Sequence, residues 1–408
     1  MSRSAASSTT AIDASQPAAP SSAAMPVLQP SRVPPPPMPK DPGAIIGPTR
    51  WRLFKYHILA AILRFACAIA PLYTIHKLKA PEPDVSQFGF PKGIRVQKTK
   101  LPSRDRRRKI KAYIFKPAEN NALYQARLKE GHGKIPVHIN MHGSGFVLPV
   151  LGSDCDFCAM LADELGIVVI DSDYRKGPVH AFPAALQDVE DVVKYVQKQP
   201  EYLSSKISLG GFSAGGNVAL SAACTLNFEA RNARPTSDST SSSSNGTAKP
   251  NETPASVITA VSTLYPACDL TVPPWMRKPT PQSAYDCGIV LPAWAIRFFH
   301  GSYCQIPEHY SDWRASPVRA DENLFPPHVF IACGDADKLY DGAEKLMERL
   351  HGAGHPDAVF LALPRMSHGW DKVTGPGKPG WEERLSSYKG FVDCIRRGLG
   401  DDSAKRVD

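Results

Sequence analysis

The pentapeptide Gly211-Phe-Ser-Ala-Gly215 constrains this chain more than any other stretch. The run Lys206-Ile-Ser-Leu-Gly-Gly211 before it reads as a strand, and Asn217-Val-Ala-Leu-Ser-Ala-Ala-Cys224 after it reads as a helix. A strand that becomes a helix across one residue strains that residue's backbone and leaves its side chain exposed above the sheet. Glycines must flank it, because no Cβ fits where the turn folds tightly on itself. Ser213 is thereby marked as a candidate nucleophile. The pentapeptide alone is a modest signal, so its meaning depends on what lies on either side.

Upstream, His142-Gly-Ser-Gly145 follows an apolar run from Ile135 to Met141 that reads as a strand. Glycine-rich backbone at a strand end can aim N–H groups at a developing oxyanion. Downstream come Gly334-Asp-Ala-Asp-Lys-Leu339 and then Met366-Ser-His-Gly-Trp370. The chain order is oxyanion loop, Ser, Asp, His. That is the order of an α/β hydrolase, and neither of the two common serine-protease orders.

These residues resemble the hormone-sensitive-lipase-like branch of the α/β hydrolases. That family carries H-G-G-G, G-D-S-A-G-G-N, D-P-L-x-D and H-G-F; this chain has His142-Gly-Ser-Gly145, Gly211-Phe-Ser-Ala-Gly-Gly-Asn217, Asp337-Lys-Leu-Tyr-Asp341 and His368-Gly-Trp370. The family's D-Y-R-L-A-P-E and F-P-A-A stretches match Asp173-Tyr-Arg-Lys-Gly-Pro-Val179 and Phe182-Pro-Ala-Ala185, with Asp188 beyond. Leu264-Tyr-Pro266, Ser316-Pro317 and Pro326-Pro327 fall in place between them. The resemblance covers roughly residues 90 to 398. It departs at Ser144, which replaces a loop glycine but keeps its N–H, at Phe212 in place of an Asp, and at Val179 in place of a Glu. None of these removes a catalytic group.

The resemblance implies an α/β-hydrolase fold, with a mostly parallel sheet of about eight strands flanked by helices and carrying a helical cap. The residues agree. Ile94 to Lys100 and Ile110 to Phe115 alternate, while Ile135 to Met141, Ile167 to Asp171 and Ile207 to Gly211 are the short apolar runs of buried parallel strands. Asp156 to Leu165 and Ala184 to Gln199 read as helices, and Val257 to Leu264, Val329 to Cys333 and Ala358 to Leu363 as later strands.

In chemical terms, Ser213 needs a base to take its proton, and His368 is the candidate. Asp337 would fix the far imidazole nitrogen; Asp335 and Asp341 are rivals, and the D-x-L-x-D match favours Asp337. The oxyanion donors would be the Ala214 N–H with those of Gly143, Ser144 and Gly145, and the resemblance favours Ser144 and Gly145. His142 is expected to orient that loop without transferring a proton. No cofactor is needed, and no metal-ligand spacing appears. The expected reaction is hydrolysis of a hydrophobic small-molecule carboxylic ester through an acyl-enzyme. A deacetylase, amidase or lactonase on the same triad is the alternative. A non-catalytic ligand-binding homologue is the other, and the presence of His368 argues against it.

The net charge of +9 is local. Between Lys92 and Lys111 ten basic residues (92, 95, 98, 100, 104, 106, 107, 108, 109 and 111) stand against Asp105 alone, which accounts for the whole excess. The run 104–111 reads as a solvated hairpin tip or as an attraction to an anionic membrane surface. No aromatic-interleaved platform accompanies it, so nucleic acid is not an expected partner. The nine cysteines are scattered and odd in number, which excludes a disulfide framework. Cys155 and Cys158 form a C-x-x-C without redox context.

Residues 1–49 form a Ser/Ala/Pro-rich tail expected to be disordered, with no signal-peptide pattern. Residues 50–80 form a hydrophobic helix. Along 51–75 and the residue before it, Arg50, His57 and Arg64 recur every seven residues beside Ala60, Ala61 and Ala68, drawing a basic and small-residue stripe. An arginine at mid-span is costly in a bilayer, so a cap or membrane-interface helix is expected over a span, with the stripe near water or phosphate. The hydrolase domain is placed at 85–398, with a disordered insert at 231–256 that holds the glycosylation triplets of Asn245 and Asn251. Residues 268–304 are expected to contribute to the cap through Trp275, Met276, Trp294, Phe298 and Phe299. A cytoplasmic or membrane-associated location is favoured, against an endoplasmic-reticulum membrane protein with a lumenal catalytic domain. Oligomeric state is not legible.

Overall fold

The computed structural model describes residues 47–78, 91, 93–232, 256–277 and 285–401. The expected tail up to residue 46, the centre of the insert with Asn245 and Asn251, and residues 79–80 of the first helix lie outside the described residues. Strands β1 (Arg95–Pro102), β2 (Lys109–Lys116), β3 (Ile135–Met141), β4 (Val168–Ser172), β5 (Tyr202–Phe212), β6 (Ala260–Leu264), β7 (His328–Gly334) and β8 (Ala358–Leu363) form one sheet. Its order is β1-β2-β4-β3-β5-β6-β7-β8, antiparallel from β1 to β4 and parallel from there on. This is the mostly parallel eight-stranded sheet of the α/β-hydrolase fold.

Burial follows position in the sheet. Every residue of β3, β4 and β6 is buried, as parallel strands covered on both faces require. Edge strand β1 exposes most of its side chains, so its Lys and Arg cost nothing in desolvation. Described helices are α1 (Arg50–Leu78), α2 (Ala122–Glu130), α3 (Cys155–Leu165), α4 (Ala184–Lys198), α5 (Ala214–Asn232), α6 (Ala293–Tyr303), α7 (Pro307–Ser311), α8 (Tyr340–Gly352), α9 (Trp370–Val373) and α10 (Trp381–Leu399). A Cβ on Gly210 would meet the Phe391 ring of α10 at 2.4 Å, and one on Gly211 would meet the first turn of α5 at Gly215. Successive strand residues face opposite ways, so α10 and α5 cover opposite faces of the sheet. α3 packs beside α10, and α4 beside α5.

Helix α1 has its own small core. Tyr56 and Ala60 bury against Val147 and Phe298, and Tyr56 meets the Phe298 ring edge-on at 5.3 Å. The orientation differs from expectation. Arg64 and Ala60 of the supposed water-facing stripe turn toward the protein, while Trp51, Phe54, Ile58, Ile62 and Phe65 are exposed. The Arg64 guanidinium finds backbone carbonyls there: Nε donates to Val147 O at 3.3 Å, and Nη2 to Gly177 O at 2.7 Å and Lys176 O at 3.4 Å. A buried polar group needs a partner, and free carbonyls at a loop serve as well as water. Among the described residues no helix is long and apolar enough to cross a membrane. All nine cysteines are free, and burial raises the thiols of Cys155 and Cys158.

His138 of β3 is fully buried, with Nδ1 2.9 Å from Ser208 Oγ and its ring edge-on to Phe391. Burial pushes its imidazole from 6.5 down to about 3. Between those values the unfolded chain binds a proton that the folded chain refuses, so stability must fall as pH falls through that window. The expected contribution is about 1 kcal/mol per pH unit below the unfolded value. Denaturant midpoints measured from neutral pH downward check it: His138→Asn should give a shallower decline than the natural chain, whatever its stability at neutral pH.

Candidate active site

The site is built where β5 ends beside the end of its parallel neighbour β3. Ser213 sits between β5 and α5 with φ 52°, a left-handed backbone that a non-glycine residue adopts only under constraint. The constraint is visible. A Cβ on Gly215 would lie 2.1 Å from Met141 O, and one on Gly211 2.4 Å from the same atom. Only glycines let the two backbones pass. Ser213 N donates to Leu264 O at 3.0 Å, and Asn217 N donates to Ser213 O at 3.0 Å, so the turn is tied to β6 and to its own helix. Asn217 Nδ2 donates to Ala267 O (2.6 Å) and Ala315 O (2.7 Å), which pins the first turn of α5.

His368 lies on the loop between β8 and α9. Its Nε2 is 3.0 Å from Ser213 Oγ and its Nδ1 is 2.7 Å from Asp337 Oδ2. Asp337 is buried after β7, and its Oδ1 accepts from Leu339 N at 2.9 Å. The structure thus brings Ser213, His368 and Asp337 into one hydrogen-bonded line. The rivals stand elsewhere: Asp335 is exposed and accepts from Arg365 N at 2.7 Å, and Asp341 is exposed in the first turn of α8. The His368 loop is braced by residues 285–289. Ile289 N donates to His368 O at 2.7 Å, Ser367 N to Cys287 O at 2.8 Å, and Ser367 Oγ to Ile289 O at 3.1 Å.

The loop from His142 to Phe146 faces the nucleophile. A Cβ on Gly143 would lie 3.5 Å from Ser213 Cβ. Gly145 has φ 54° and Phe146 φ 62°, so the loop doubles back on itself. A Cβ on Gly145 would also strike the Phe299 ring of α6 at 2.6 Å. Among the described residues, no hydrogen bond takes up the N–H groups of Gly143, Ser144, Gly145 or Ala214. These are the four donors named as oxyanion candidates.

Ser144 does more than spare its N–H. Its Oγ accepts from Phe146 N at 3.0 Å and lies 2.8 Å from Tyr174 OH. Tyr174 OH donates to His142 O at 2.7 Å, so the Ser144 hydroxyl must donate to Tyr174. The chain Phe146, Ser144, Tyr174, His142 closes the loop on itself. His142 stacks on Tyr174 at 5.0 Å. Burial first, and Lys176 next, push its imidazole down to about 3, so it is the neutral, singly protonated form at working pH. Lys176 Nζ bonds Asp173 Oδ1 at 2.8 Å and Tyr174 O at 2.7 Å; burial lowers it to about 8.

Three supports escaped sequence reasoning. Arg64 lies far upstream, and nothing in its surroundings announces carbonyl partners beside the oxyanion loop. Tyr174 lay inside a matched stretch but without a role. Tyr265, with φ 41°, packs its ring edge on His368 at 4.7 Å while its OH donates to Asp371 at 2.6 Å. Of the expected cap residues, Phe298 is buried, Phe299 presses on Gly145, and Trp275, Met276 and Trp294 are exposed. Among the described residues no group of His, Cys, Asp or Glu could hold a metal ion.

Comparison with known proteins agrees with this fold. A family model described as the alpha/beta hydrolase fold matches residues 138–372. An ethyl acetate hydrolase of Pseudomonas putida is 28% identical over 234 residues, 56% of this chain and 64% of that protein. A carboxylic ester hydrolase of Mycobacterium tuberculosis is 26% identical over 274 residues, 65% of this chain and 66% of its own length. The chain therefore spans just under two thirds of these two relatives. A solved hyperthermophilic esterase from the archaeon Pyrobaculum calidifontis superposes with a TM-score of 0.60 at 23% identity, over 87% of this chain and 99% of that one, and shares the fold.

Two substitutions probe the arrangement. Asp337→Asn should slow ester turnover by about 10⁴-fold by mis-setting the imidazole tautomer, while Asp335→Asn and Asp341→Asn should change it by less than about tenfold; steady-state kinetics of the three variants check the ranking. Arg64→Ala should lower kcat by roughly tenfold with KM little changed, because a displaced oxyanion loop weakens only the transition state; partial recovery on adding guanidinium separates lost positioning from lost folding.

Proposed function

The chain belongs to the hormone-sensitive-lipase-like branch of the α/β hydrolases, and from that premise we propose that it hydrolyses hydrophobic small-molecule carboxylic esters through an acyl-enzyme. The observation that carries the proposal is the Ser213–His368–Asp337 line, with contacts of 3.0 and 2.7 Å. Ser213 Oγ attacks the ester carbonyl carbon as His368 Nε2 takes its proton. The carbonyl oxygen becomes an oxyanion facing the N–H groups of Ala214, Ser144 and Gly145, with Gly143 beside them. The tetrahedral intermediate collapses, and the alkoxide leaves with the proton from His368. The acyl group remains on Ser213. Water then attacks that acyl carbon, with His368 as base, and the carboxylic acid departs. Asp337 stabilises the imidazolium throughout and keeps Nδ1 protonated.

Two features favour a small acyl group. Phe299 presses against Gly145 at the floor of the oxyanion loop. The Pseudomonas relative is by name a hydrolase of an acetate. For location, we infer a cytoplasmic or membrane-associated enzyme.

A p-nitrophenyl ester series of increasing acyl length tests the proposal on the natural chain and on Ser213→Ala. The short esters should turn over fastest, and Ser213→Ala should lose at least about 10³-fold in kcat while keeping its thermal unfolding midpoint. Wild-type turnover in Ser213→Ala would refute the assignment of the nucleophile.

A further inference from the structure

Helix α1 has two apolar faces, and only one is used. Tyr56, Ala60 and Arg64, at i, i+4 and i+8, face the protein. That seat is fixed by side chains that fit it: a Cβ on Gly301 would meet the Tyr56 ring at 2.7 Å, and Arg64 holds three carbonyls. The helix cannot roll to hide its other side without losing them. On that other side Trp51, Phe54, Ile58, Ile62 and Phe65 follow one another at spacings of three and four, from 46% exposed at Ile58 to 68% at Phe65. Five large apolar side chains in one stripe exceed the scattered surface residues of a soluble face.

The charge around the stripe says what it fits. From residue 50 to 78 the helix contains no Asp or Glu. Arg50 and His57 lie exposed on one flank and Lys55 on the other, with Lys55 Nζ 5.2 Å from the Trp51 ring. More cations stand near its inner side. Arg64 bonds the carbonyls of Lys176 and Gly177; the adjoining Arg175 shares the Asp188 carboxylate with Arg108 of the β1–β2 turn. That turn also exposes Arg106 and Arg107, and β2 begins with the exposed Lys109. Two copies of such a face would bring like charges together, and an acidic apolar surface would complement it.

We propose that α1 docks in the plane of an anionic lipid surface, seating the stripe Trp51–Phe65 at the headgroup–acyl boundary with its basic flanks on lipid phosphates and carboxylates. An apolar stripe with basic flanks is the pattern of a helix that lies in the interface. The basic turn adds to the positive field that draws the chain toward such a surface. Docking leaves the inner face of α1 on Val147 and Phe298, and it is independent of the ester chemistry proposed above.

The test is co-sedimentation of the full chain with vesicles of phosphatidylcholine, with and without phosphatidylserine, alongside turnover of soluble p-nitrophenyl acetate. The natural chain should sediment with phosphatidylserine vesicles, less so at high salt, and poorly with phosphatidylcholine alone. The combined variant Phe54→Ser, Ile58→Ser, Ile62→Ser, Phe65→Ser should bind at least about tenfold more weakly and turn over the soluble ester within about twofold of the natural chain. Vesicle binding that survives in that variant, or no binding by the natural chain, overturns the proposal. So does self-association in solution that the same four substitutions abolish without any vesicle binding, which would assign the stripe to a second copy. Bound protein that resists alkaline carbonate would mean a span and also overturn it. Binding without ester turnover would refute the esterase reading and leave the docking intact.

Discussion

Everything at this site depends on one close approach of two backbones. The elbow passes so near the end of β3 that Met141 O lies within 2.1 Å of where a Gly215 side chain would begin. The left-handed backbone of Ser213 costs about 1 kcal/mol or more, and the bonds to Leu264 O and from Asn217 N hold it. Met141 is also the last residue of β3, and the oxyanion loop starts at the next residue. The contact that strains the nucleophile therefore also sets its distance from the oxyanion donors. One steric fact aligns the two parts proposed to do the chemistry, and any side chain at Gly211 or Gly215 would disturb both.

The oxyanion loop itself has no ladder to stiffen it. In the proposed reaction its N–H groups stay available to substrate, so only its carbonyls pair with backbone, Phe146 O accepting from Gly177 N and Ser144 O from Val147 N and Leu148 N, and side chains add further rigidity. Here they come from three directions. Ser144 and Tyr174 tie Phe146 N to His142 O from within. Phe299 presses Gly145 from α6. Arg64 holds Val147 O and the neighbouring 176–177 strip from α1. A hydroxyl in place of a loop glycine, which looks like a weakening in sequence, becomes a fastener because Tyr174 stands 2.8 Å away.

What could be read in the sequence was what local sterics and burial impose. β3, β4 and β6 were legible because parallel strands buried on both faces must be apolar throughout. The elbow was legible because only glycine passes a backbone at that range. Asp337 was separable from Asp335 and Asp341 by motif register, and the structure sets Asp337, not Asp335, against the imidazole. β5 begins at Tyr202, well before the apolar run, because Leu203-Ser-Ser-Lys206 is polar yet continues the strand. The facing of α1 was misread for a physical reason. Arg50, His57 and Arg64 share a spacing, but only the first two meet solvent; Arg64 is satisfied by carbonyls that lie more than eighty residues away in the chain. Periodicity shows which residues share a face, and not what that face meets.

The surroundings of His368 follow from the placement of buried charge. Tyr265 lies against the imidazole, and its hydroxyl could compete with Asp337 for that ring. It does not, because Asp371 Oδ1 takes the hydroxyl proton at 2.6 Å, leaving only the ring edge for His368. Asp371 in turn accepts from Tyr388 at 3.0 Å and pairs with Lys372 at 3.2 Å, and Lys372 reaches Asp154 at 3.0 Å across the face of Phe212. Beyond, Asn140 bridges Asp154 and Asp171, whose carboxyl is pushed up to about 8 by burial and then by Asp154. Phe212 stands where the motif it resembles has an Asp, and an acid there would add a further carboxylate to this cluster. The aromatic ring lets Lys372 serve Asp371 and Asp154, and Asp371 is what keeps Tyr265 from the catalytic imidazole.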